Sequence, residues 1–513
     1  MSFDASRPDL TLGIVGAGVM GRGIAQVAAE AGLTVLLADA DPKAGPAALD
    51  FCADMIRRKA AKGQLAAEAA EAAIARIHAT EAGPERGYAA FQPCHLVIEA
   101  AAERMDVKHA VLAGVEAAVS GECVIATNTS SLSVTGFAAG AKRPERIAGY
   151  HFFNPVPLMR LVEVIGGALT APTVLDALEA LAHRLGHQPV RASDTPGFLV
   201  NHAGRAFGTE ALRIHAEGVA GFADIDRVMT QAAGFRMGPF ELLDLTGLDV
   251  SHAVMETVYR QFYEEPRFRP QPLTGQRVTA GLLGRKTGRG FYAYPEGKPE
   301  KPPERPVPPL PAALPPVWVA EGEGHDALRA ILAATGAALE NGAQPSERAL
   351  ILVTPLGDDA TTTAVEAGLD PTRTVAVDPL FGFARRRTLM TTPVTAPAIR
   401  DCAHALLAAD GTPVTVIHDS PGFIAQRIVA AIVNVGADIA QQRIATPDAI
   451  NQAVRLGLGY PKGPLEFGDA LGARKILAIL EGLHRFTGDP RYRPSPWLKR
   501  RALLGAPLTL AEA

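Results

Sequence analysis

The first forty residues alternate between short apolar runs and segments rich in small residues. Leu10 to Val15 is an aliphatic run typical of a buried strand. The segment GRGIAQVAAEAG, which follows a glycine-rich turn, has the small and apolar residues of a helix that we expect to end at Gly32. The run TVLLAD then predicts a second strand, closing at Asp39. This strand–helix–strand order predicts an α/β domain with a parallel sheet.

The turn between the first strand and the helix has the GxGxxG spacing, formed by Gly16, Ala17, Gly18, Val19, Met20 and Gly21. Its first glycine permits a tight turn, its second lets the backbone approach a pyrophosphate, and its third lets the helix pack close to the strand. The helix N-terminus offers N–H groups and a positive dipole to phosphates. Asp39 can bind ribose hydroxyls and would repel the extra phosphate of NADP, so we expect an NAD site. A glycine-rich turn of another α/β protein is the alternative.

Two later apolar runs predict further strands with polar segments at their ends. His95 to Glu99 and Val124 to Ala126 are strand-like, and they precede Glu103 and the loop TNTSS, respectively. Because ligands of doubly wound sheets bind at the carboxyl ends of strands, we expect Glu103 and this loop to face the same crevice as the glycine turn. A Ser/Thr turn that caps the next helix is the alternative explanation of the loop.

The segment GYHFFNPVPLMRLVEVI places a histidine and a glutamate next to two apolar runs. His151 follows the first run, and Glu163 lies within LVEVI, where an unpaired carboxylate would be costly to bury. A carboxylate bonded to one imidazole nitrogen fixes the tautomer and leaves the other nitrogen to take a proton. Oxidation of a secondary alcohol needs such a base, so the pair is a candidate catalytic dyad. A packed histidine and an edge-strand glutamate are the alternative.

A proline-rich segment divides the chain of 513 residues, which is too long for one ordinary domain. Residues 295–317 read PEGKPEKPPERPVPPLPAALPPV. Since proline lacks an N–H and fixes φ, this segment cannot form a helix or a central strand. It is typical of an extended linker between domains.

The part after this linker repeats the end of the part before it, at an offset of 225 residues. DTPGF at Asp194 returns as DSPGF at Asp419, and GFRMGPFELLDLTGLD is echoed by LGYPKGPLEFGDALGA. The repeat predicts a second helical domain. Gln426 stands where the first copy has Asn201, and VAVDPLF offers no histidine where HFFNP has one. We therefore expect no second active site.

Composition narrows the class of protein. Hydrophobic residues make up 48% and charged residues 20%, which is the balance of a soluble globular protein. A net charge of −4 does not favour broad binding to nucleic acid or to an anionic membrane. The four cysteines show no paired metal-ligand spacing, so we expect a reduced, cytosolic protein without a metal site. The N-terminus has no signal-peptide pattern, and no apolar run is long enough to span a bilayer.

The ordered motifs GAGVMG, TNTSSLSV, GYHFFNPVPLMRLVEVI, DTPGFLVN and GRKTGRGFY resemble the L-3-hydroxyacyl-CoA dehydrogenase family over residues 8–295. The HFFNP and DTPGF segments are more specific to that family than the glycine pattern is. The resemblance implies NAD-dependent oxidation of an (S)-3-hydroxyacyl-CoA thioester to the 3-oxoacyl-CoA. With its repeat, the chain is similar to the duplicated bacterial members of phenylacetate and fatty-acid degradation, which implies 3-hydroxyadipyl-CoA or 3-hydroxybutyryl-CoA as substrate.

The resemblance also implies roles for individual residues. His151 would be the catalytic base with Glu163 as its acidic partner, and Ser130 and Asn201 would bind the substrate. Besides the glycine turn, the residues implied to contact NAD are Asp39, Glu103, Lys108, Ser130, Asn154 and Lys286. Lys62 matches a family lysine that meets coenzyme A, while Met55 stands where the family has a serine contact.

The resemblance and the repeat together predict an α/β plus all-α organisation. The expected segments are a Rossmann-type NAD-binding domain (1–192), a helical domain like that of 6-phosphogluconate dehydrogenase (193–294), a proline-rich linker (295–316), a reduced Rossmann-like domain (317–415) and a second helical domain (416–513). The two-domain relatives resemble homodimers that pair through their helical domains. We therefore expect either a homo-oligomer or an internal pseudo-dimer, formed by the two helical domains of one chain.

Two other functional classes stay open. A non-catalytic binding or structural protein can keep this fold, and a lens crystallin is such a relative of the family. A dehydrogenase of a free hydroxy acid, without coenzyme A, is the second. The complete set of Ser130, His151, Glu163 and Asn201 argues against the non-catalytic class.

Overall fold

The computed structural model of the chain describes residues 3–512. Its first part alternates strands and helices. In chain order these elements are β1 (Thr11–Val15), α1 (Val19–Glu30), β2 (Thr34–Ala38), α2 (Ala44–Ala61), α3 (Ala67–Ile74), β3 (Ile77–Ala79), β4 (Leu96–Glu99), α4 (Met105–Ala118), β5 (Val124–Thr127), α5 (Val134–Ala138), β6 (Ile147–Phe152), β7 (Leu161–Gly166), α6 (Pro172–Arg184), β8 (Gln188–Ser193) and α7 (Val200–Ala203).

The strands of this part form one eight-stranded sheet in the order β3-β2-β1-β4-β5-β6-β7-β8. Neighbouring strands are parallel except β6 and β7, which run antiparallel. Helices cover both faces, so strands such as β4 and β5 are buried throughout and read as continuous apolar runs. The prediction of a Rossmann-type domain is confirmed. Its strand order reverses between β1 and β4, where doubly wound sheets bind their ligands.

The rest of the chain contains two groups of helices separated in sequence by a smaller sheet. The elements are α8 (Arg205–Ala216), α9 (Phe222–Arg227), α10 (Pro239–Thr246), α11 (Leu248–Gln261), α12 (Pro272–Thr279), β9 (Val317–Val319), α13 (His325–Ala334), β10 (Leu350–Val353), α14 (Ala360–Glu366), β11 (Thr374–Val377), β12 (Arg387–Thr391), α15 (Pro397–Ala408), β13 (Val414–Ile417), α16 (Ala425–Gln441), α17 (Pro447–Leu458), α18 (Pro464–Leu471), α19 (Ala473–Thr487) and α20 (Pro496–Leu504). Residues 301–311 of the proline-rich segment carry neither helix nor strand.

The smaller sheet has five strands in the order β13-β12-β11-β10-β9. Its pattern of one antiparallel pair, β11 with β12, among parallel neighbours matches that of β4 to β8 in the larger sheet. The part without a counterpart is the half of the Rossmann sheet formed by β1, β2 and β3, which carries the glycine turn. Among residues 3–512, the smaller sheet therefore has no counterpart of the strand that leads into the glycine turn.

The two DxPGF motifs have the same local structure. Asp194 accepts hydrogen bonds from the backbone N–H groups of Val134 (3.0 Å) and Thr135 (2.7 Å) at the start of α5. Asp419 accepts from Ala360 (2.9 Å) and Thr361 (3.2 Å) at the start of α14. Each carboxylate satisfies N–H groups that have no partner within the helix. The motif thus caps a helix of the sheet domain that precedes it in the chain.

The chain folds into two compact units. One comprises the residues up to His202 together with Arg443–Leu458, and the other comprises Ala203–Gln442 and the residues from Gly459 onward. This division differs from the predicted segments at two places. The first unit continues past residue 192 into α7, whose first N–H groups are bonded to a residue of β7. It also includes α17, which packs against β7 and β8 although its sequence belongs to the second repeat.

Candidate active site

The glycine turn follows β1 and leads into α1, and Asp39 lies beside it. The Asp39 carboxylate accepts hydrogen bonds from the backbone N–H groups of Ala17 (2.7 Å) and Asp41 (3.0 Å). The sequence predicted a carboxylate at the end of β2. The structure adds that this carboxylate also holds the turn itself in place.

The three glycines of the turn differ in the space around them. A Cβ on Gly16, whose φ is +109°, would lie 2.3 Å from the carbonyl oxygen of Ala100, and one on Gly21 would lie 1.8 Å from that of Gly16. A Cβ on Gly18 would have nothing within 4 Å. The first and third glycines are therefore required by protein packing, while the second leaves open space at a helix N-terminus. This is the arrangement that a dinucleotide pyrophosphate needs, so the residues fit NAD.

Glu103, which lies between β4 and α4, holds the polar loop that follows β5. Its Oε1 accepts hydrogen bonds from the hydroxyl of Thr129 (2.7 Å) and from the backbone N–H groups of Ser130 (3.0 Å) and Ser131 (3.1 Å). Burial raises the pKa of Glu103, but these hydrogen bonds and the nearby Lys108 ammonium outweigh burial and hold that pKa below its ordinary value. The ionised carboxylate fixes the loop that presents Ser130 at the carboxyl end of β5.

Lys108 is buried, and it pairs with a residue that the sequence did not single out. Its Nζ lies 2.9 Å from both carboxylate oxygens of Glu99 and 3.2 Å from Glu103. Glu99 also accepts a hydrogen bond from the hydroxyl of Thr127 (2.7 Å). The lysine therefore positions two carboxylates, one at the end of β4 and one in the segment between β4 and α4. The sequence did not indicate the pairing of Glu99, because a glutamate as the last residue of the apolar run HLVIE is typical of the polar end of a strand.

His151 and Glu163 are brought together as the sequence predicts. They face each other across the antiparallel pair β6 and β7, and His151 Nδ1 lies 2.6 Å from Glu163 Oε2. Both side chains are buried, with 5% and 1% of their surface exposed. The rings of Phe153 and Phe198 lie beside the imidazole, at centroid distances of 4.6 Å and 5.8 Å. A hydrogen bond from Nδ1 to a carboxylate fixes the orientation and the tautomer of the imidazole.

The second oxygen of Glu163 is held by backbone. Oε1 accepts hydrogen bonds from the N–H groups of Leu199 (3.0 Å) and Val200 (2.8 Å) at the start of α7. The buried carboxylate thus has donors on both oxygens, which offsets the cost of removing it from water. The motif DTPGFLV does not predict these donors, because a backbone N–H group is not specific to a residue type.

Three other residues predicted to contact the substrate or the cofactor lie in the same unit. Ser130 is exposed in the loop after β5, Asn154 is exposed two residues after β6, and Asn201 is the second residue of α7. Asn128, which the sequence did not single out, accepts a hydrogen bond from the N–H of Phe152 at 2.8 Å. It thereby ties the Ser130 loop to the strand that carries His151.

Two further lysines, Lys62 and Lys286, were predicted to contact coenzyme A and NAD, respectively. Lys62 is exposed at the end of α2. Lys286 belongs to the other compact unit, where its ammonium lies 2.6 Å from the carboxylate of Asp249. A role for either lysine therefore stays a prediction.

Comparison with known proteins assigns the family. The family model for the NAD-binding domain of 3-hydroxyacyl-CoA dehydrogenase matches residues 11–195. The model for the C-terminal domain of the same enzymes matches twice, at residues 197–294 and 422–507. The chain belongs to the 3-hydroxyacyl-CoA dehydrogenase family. The predictions of an NAD-dependent enzyme and of a duplicated helical domain are confirmed.

Relatives of this dehydrogenase fall into two lengths. The 3-hydroxyadipyl-CoA dehydrogenase of Escherichia coli is 36% identical over 96% of this chain and 98% of its own. The 3-hydroxybutyryl-CoA dehydrogenase of Bradyrhizobium diazoefficiens is 39% identical over 56% of this chain and 96% of its own. A solved structure of 3-hydroxybutyryl-CoA dehydrogenase from E. coli superimposes with a TM-score of 0.84 at 35% identity, covering 97% of this chain and 98% of that one. The dehydrogenase is thus of the long, duplicated type.

The second copy in this dehydrogenase has different residues at the position of the dyad. The register of β11 and β12 sets Asp378 opposite Thr388, as His151 stands opposite Glu163. Gln426 donates a hydrogen bond from Nε2 to Asp378 Oδ1 at 2.9 Å, and its own Oε1 accepts from the N–H of Gly357. Burial raises the pKa of Asp378 to about 6, partly opposed by the bond from Gln426. This position thus has an aspartate bonded to a glutamine where the first copy has a histidine bonded to a glutamate.

Membrane-spanning helices and metal sites do not occur among residues 3–512. No helix in this range is both long and apolar enough to cross a membrane. No cluster of histidine, cysteine, aspartate and glutamate side chains within the same residues is arranged to hold a metal ion.

Proposed function

We propose that the first unit oxidises (S)-3-hydroxyacyl-CoA to 3-oxoacyl-CoA, with His151 as the general base and Glu163 as its orienting partner. The observation that carries this proposal is the bond of 2.6 Å between His151 Nδ1 and a buried carboxylate that is itself held by two backbone N–H groups. Such a bond fixes Nδ1 as the protonated nitrogen and leaves Nε2 to accept a proton.

In this mechanism His151 Nε2 takes the proton of the 3-hydroxyl group as the C3–H bond breaks. NAD+, when bound, supplies the acceptor for the hydride that leaves C3. The negative charge of Glu163 compensates the imidazolium that forms, and its fixed position avoids reorganisation during the step. Ser130 and Asn201 donate hydrogen bonds to substrate oxygens and orient the alcohol and the thioester. In the reverse direction the imidazolium returns the proton to the oxygen.

The proposal assigns the cofactor to the glycine turn and its neighbours. Gly16, Gly18, Val19, Met20 and Gly21 would hold the pyrophosphate, and Asp39 would bind the ribose hydroxyls. The further residues assigned to this site are Glu103, Lys108, Asn154 and Lys286, and Lys62 is assigned to coenzyme A. The ion pairs of Lys108 with Glu99 and Glu103 support a role in which the lysine positions these two carboxylates beside the cofactor.

We infer the acyl group of the substrate from the names of the relatives. Since the relative matched over 96% of this chain is named for 3-hydroxyadipyl-CoA, we propose a short-chain or dicarboxylic acyl group and a role in phenylacetate or fatty-acid degradation. Four free, buried cysteines support a reducing compartment such as the cytosol.

A substrate panel tests this part of the proposal. Initial rates of NADH formation would be measured with 3-hydroxybutyryl-CoA, 3-hydroxyadipyl-CoA and a long-chain 3-hydroxyacyl-CoA. We expect kcat/KM for one of the two short substrates to exceed that for the long chain by at least about tenfold, since acyl pockets discriminate by roughly 1–3 kcal/mol. A preference for the long chain would contradict the assignment.

We also propose that the two repeats pair within one chain as two subunits of a homodimer would. In the first unit, the N–H of Ser193 donates to the carbonyl of Ile444 at 2.9 Å. In the second unit, the N–H of His418 donates to the carbonyl of Val219 at 3.0 Å, and both residue numbers are shifted by 225. The loop before α17 thus joins the first sheet, and the loop before α9 joins the second. These two matching bonds support the pairing of the repeats within one chain.

The contact between the two helical domains supports the same proposal. Glu210 of α8 accepts hydrogen bonds from Arg427 of α16 (2.8 Å) and from the hydroxyl of Tyr492 (2.7 Å). The repeat places Val435 where Glu210 stands and His202 where Arg427 stands. A self-complementary dimer would need the same residues on both sides, so this buried ion pair suits the pairing of unlike halves.

Specific activity across protein concentration tests the internal pairing. We expect the full chain to sediment as a monomer of 53.8 kDa and to keep the same specific activity from micromolar to nanomolar concentration. A chain that is active only as a dimer, and loses activity on dilution, would contradict this arrangement.

A further inference from the structure

Helix α17 belongs to the catalytic unit although its sequence lies in the second repeat. Its residues Ile450, Ala453 and Val454 are fully buried, and it packs against β7 and β8. Strand β7 is the one that carries Glu163. The second half of the chain therefore covers the strand that positions the dyad.

Near the end of this helix, Gly457 packs closely against two residues of the catalytic unit. A Cβ on Gly457 would lie 2.9 Å from Val200 Cγ1, 3.1 Å from Val200 Cγ2 and 3.1 Å from Leu161 Cδ2. Val200 and Leu161 are themselves buried, with 1% and 0% of their surface exposed. Neither side chain has room to move away, so only glycine lets α17 approach this closely.

Val200 connects this contact to the dyad. Its backbone N–H donates to Glu163 Oε1 at 2.8 Å, beside the N–H of Leu199 at 3.0 Å. The other oxygen of Glu163 lies 2.6 Å from His151 Nδ1. A displacement of Val200 would therefore move the carboxylate that sets the direction of the imidazole.

The first repeat offers a comparison. At the position that corresponds to Gly457 it has Ala232, a residue with a Cβ. The sheet domain of the second repeat has Asp378 and Thr388 in place of the dyad, so no catalytic geometry depends on close approach there. The glycine occurs in the repeat whose helix covers the strand of Glu163.

We propose that Gly457 is a positioning residue of the catalytic dyad, acting through the Val200 N–H on Glu163 and through Glu163 on His151. The inference rests on the proposed roles of His151 and Glu163. It gives the second half of the chain a part in the reaction: a helix of the repeat without a dyad completes the site of the other repeat.

Substitution of Gly457 in the full chain tests the proposal. We expect Gly457→Val to lower kcat by about 10- to 100-fold, since small displacements of catalytic groups have effects of this size, while KM for NADH changes less than about twofold. Leu456→Val is the matched control, because Leu456 lies on the same helix with 44% of its surface exposed, and its kcat should stay at the wild-type value. The melting temperature of each variant checks that it is folded.

A compensating substitution separates positioning from general disturbance. Adding Val200→Ala to Gly457→Val removes the two Val200 methyl groups, which lie 2.9 Å and 3.1 Å from the new Cβ, and should restore most of kcat. If Gly457→Val does not fold, Gly457→Ala, which adds a single methyl group, takes its place in both measurements.

Three results would overturn the inference: an unchanged kcat in the folded Gly457 variant, an equal loss in kcat and in affinity for NADH, or no recovery in the double variant. His151→Gln, measured in parallel, separates the two proposals. If His151→Gln is inactive while Gly457→Val is fully active, only the role of Gly457 fails. If His151→Gln is fully active, the proposed dyad fails.

Discussion

His151→Gln is expected to lower kcat for reduction of acetoacetyl-CoA by about 10²- to 10⁴-fold, the range that a general acid or base contributes. Glutamine has nearly the length of histidine and can still donate to Glu163, so the buried carboxylate keeps a partner. What it lacks is a nitrogen that gains and loses a proton near neutral pH. KM for both substrates should change by less than about threefold, because the residue acts mainly in the transition state. Steady-state kinetics with absorbance detection of NADH measures both constants.

His187→Gln is the matched control for this variant. His187 is also buried, with 4% of its surface exposed, but its ring nitrogens lie 3.1 Å and 3.0 Å from the backbone carbonyls of Leu185 and Val156. Its replacement should lower the melting temperature and leave kcat within about threefold of wild type. A His151→Gln variant with wild-type kcat, or equal losses in the two variants, would show that His151 is not the base.

Gly18→Ala is expected to weaken NADH binding by roughly 10- to 100-fold, equivalent to about 1.4–2.7 kcal/mol, without loss of stability. The φ of Gly18 is −66°, which alanine adopts readily, and no protein atom would lie within 4 Å of the new Cβ. The methyl group would instead occupy the space in which the backbone must approach the pyrophosphate. Titration of protein fluorescence with NADH gives the affinity, and thermal unfolding gives the stability.

Gly21→Ala is the contrasting variant in the same turn. Its Cβ would lie 1.8 Å from the carbonyl oxygen of Gly16, so α1 would have to move away from β1. We expect this variant to lose stability, by about 1–3 kcal/mol or more, as well as NADH affinity. Wild-type affinity in Gly18→Ala would contradict the placement of the pyrophosphate at this turn.

Sequence patterns predicted those parts of the site that depend on residue type and on local order. The glycine turn and Asp39 could be predicted because a buried strand pattern places each of them at a known point of a parallel sheet. The pair His151–Glu163 could be predicted because a carboxylate within an apolar run needs a partner. The two N–H groups that hold Glu163 could not, since backbone donors have no residue signature and their direction depends on how α7 begins. Glu99 was missed because the sequence does not distinguish a buried, paired carboxylate from a strand end.

The packing of α17 against the first sheet could also not be predicted from the sequence. The repeat predicts that α17 exists, but the same apolar pattern on α17 suits packing on its own half or on the other. Only the fold shows that Gly457 packs against Val200 of the first repeat and not against a residue of its own repeat. Lys286 shows another limit of the sequence. Its match to the family motif does not reveal that its ammonium pairs with Asp249.

The most direct test of the central claim compares a thioester with its free acid. The full chain, with NADH, would be given acetoacetyl-CoA and acetoacetate in separate assays. We predict a kcat/KM for the thioester that is larger by at least about 10³-fold, since binding energy from the coenzyme A part is used to orient the reacting carbon. Equal values for the two compounds, or no reduction of either, would contradict the assignment of this chain as a 3-hydroxyacyl-CoA dehydrogenase.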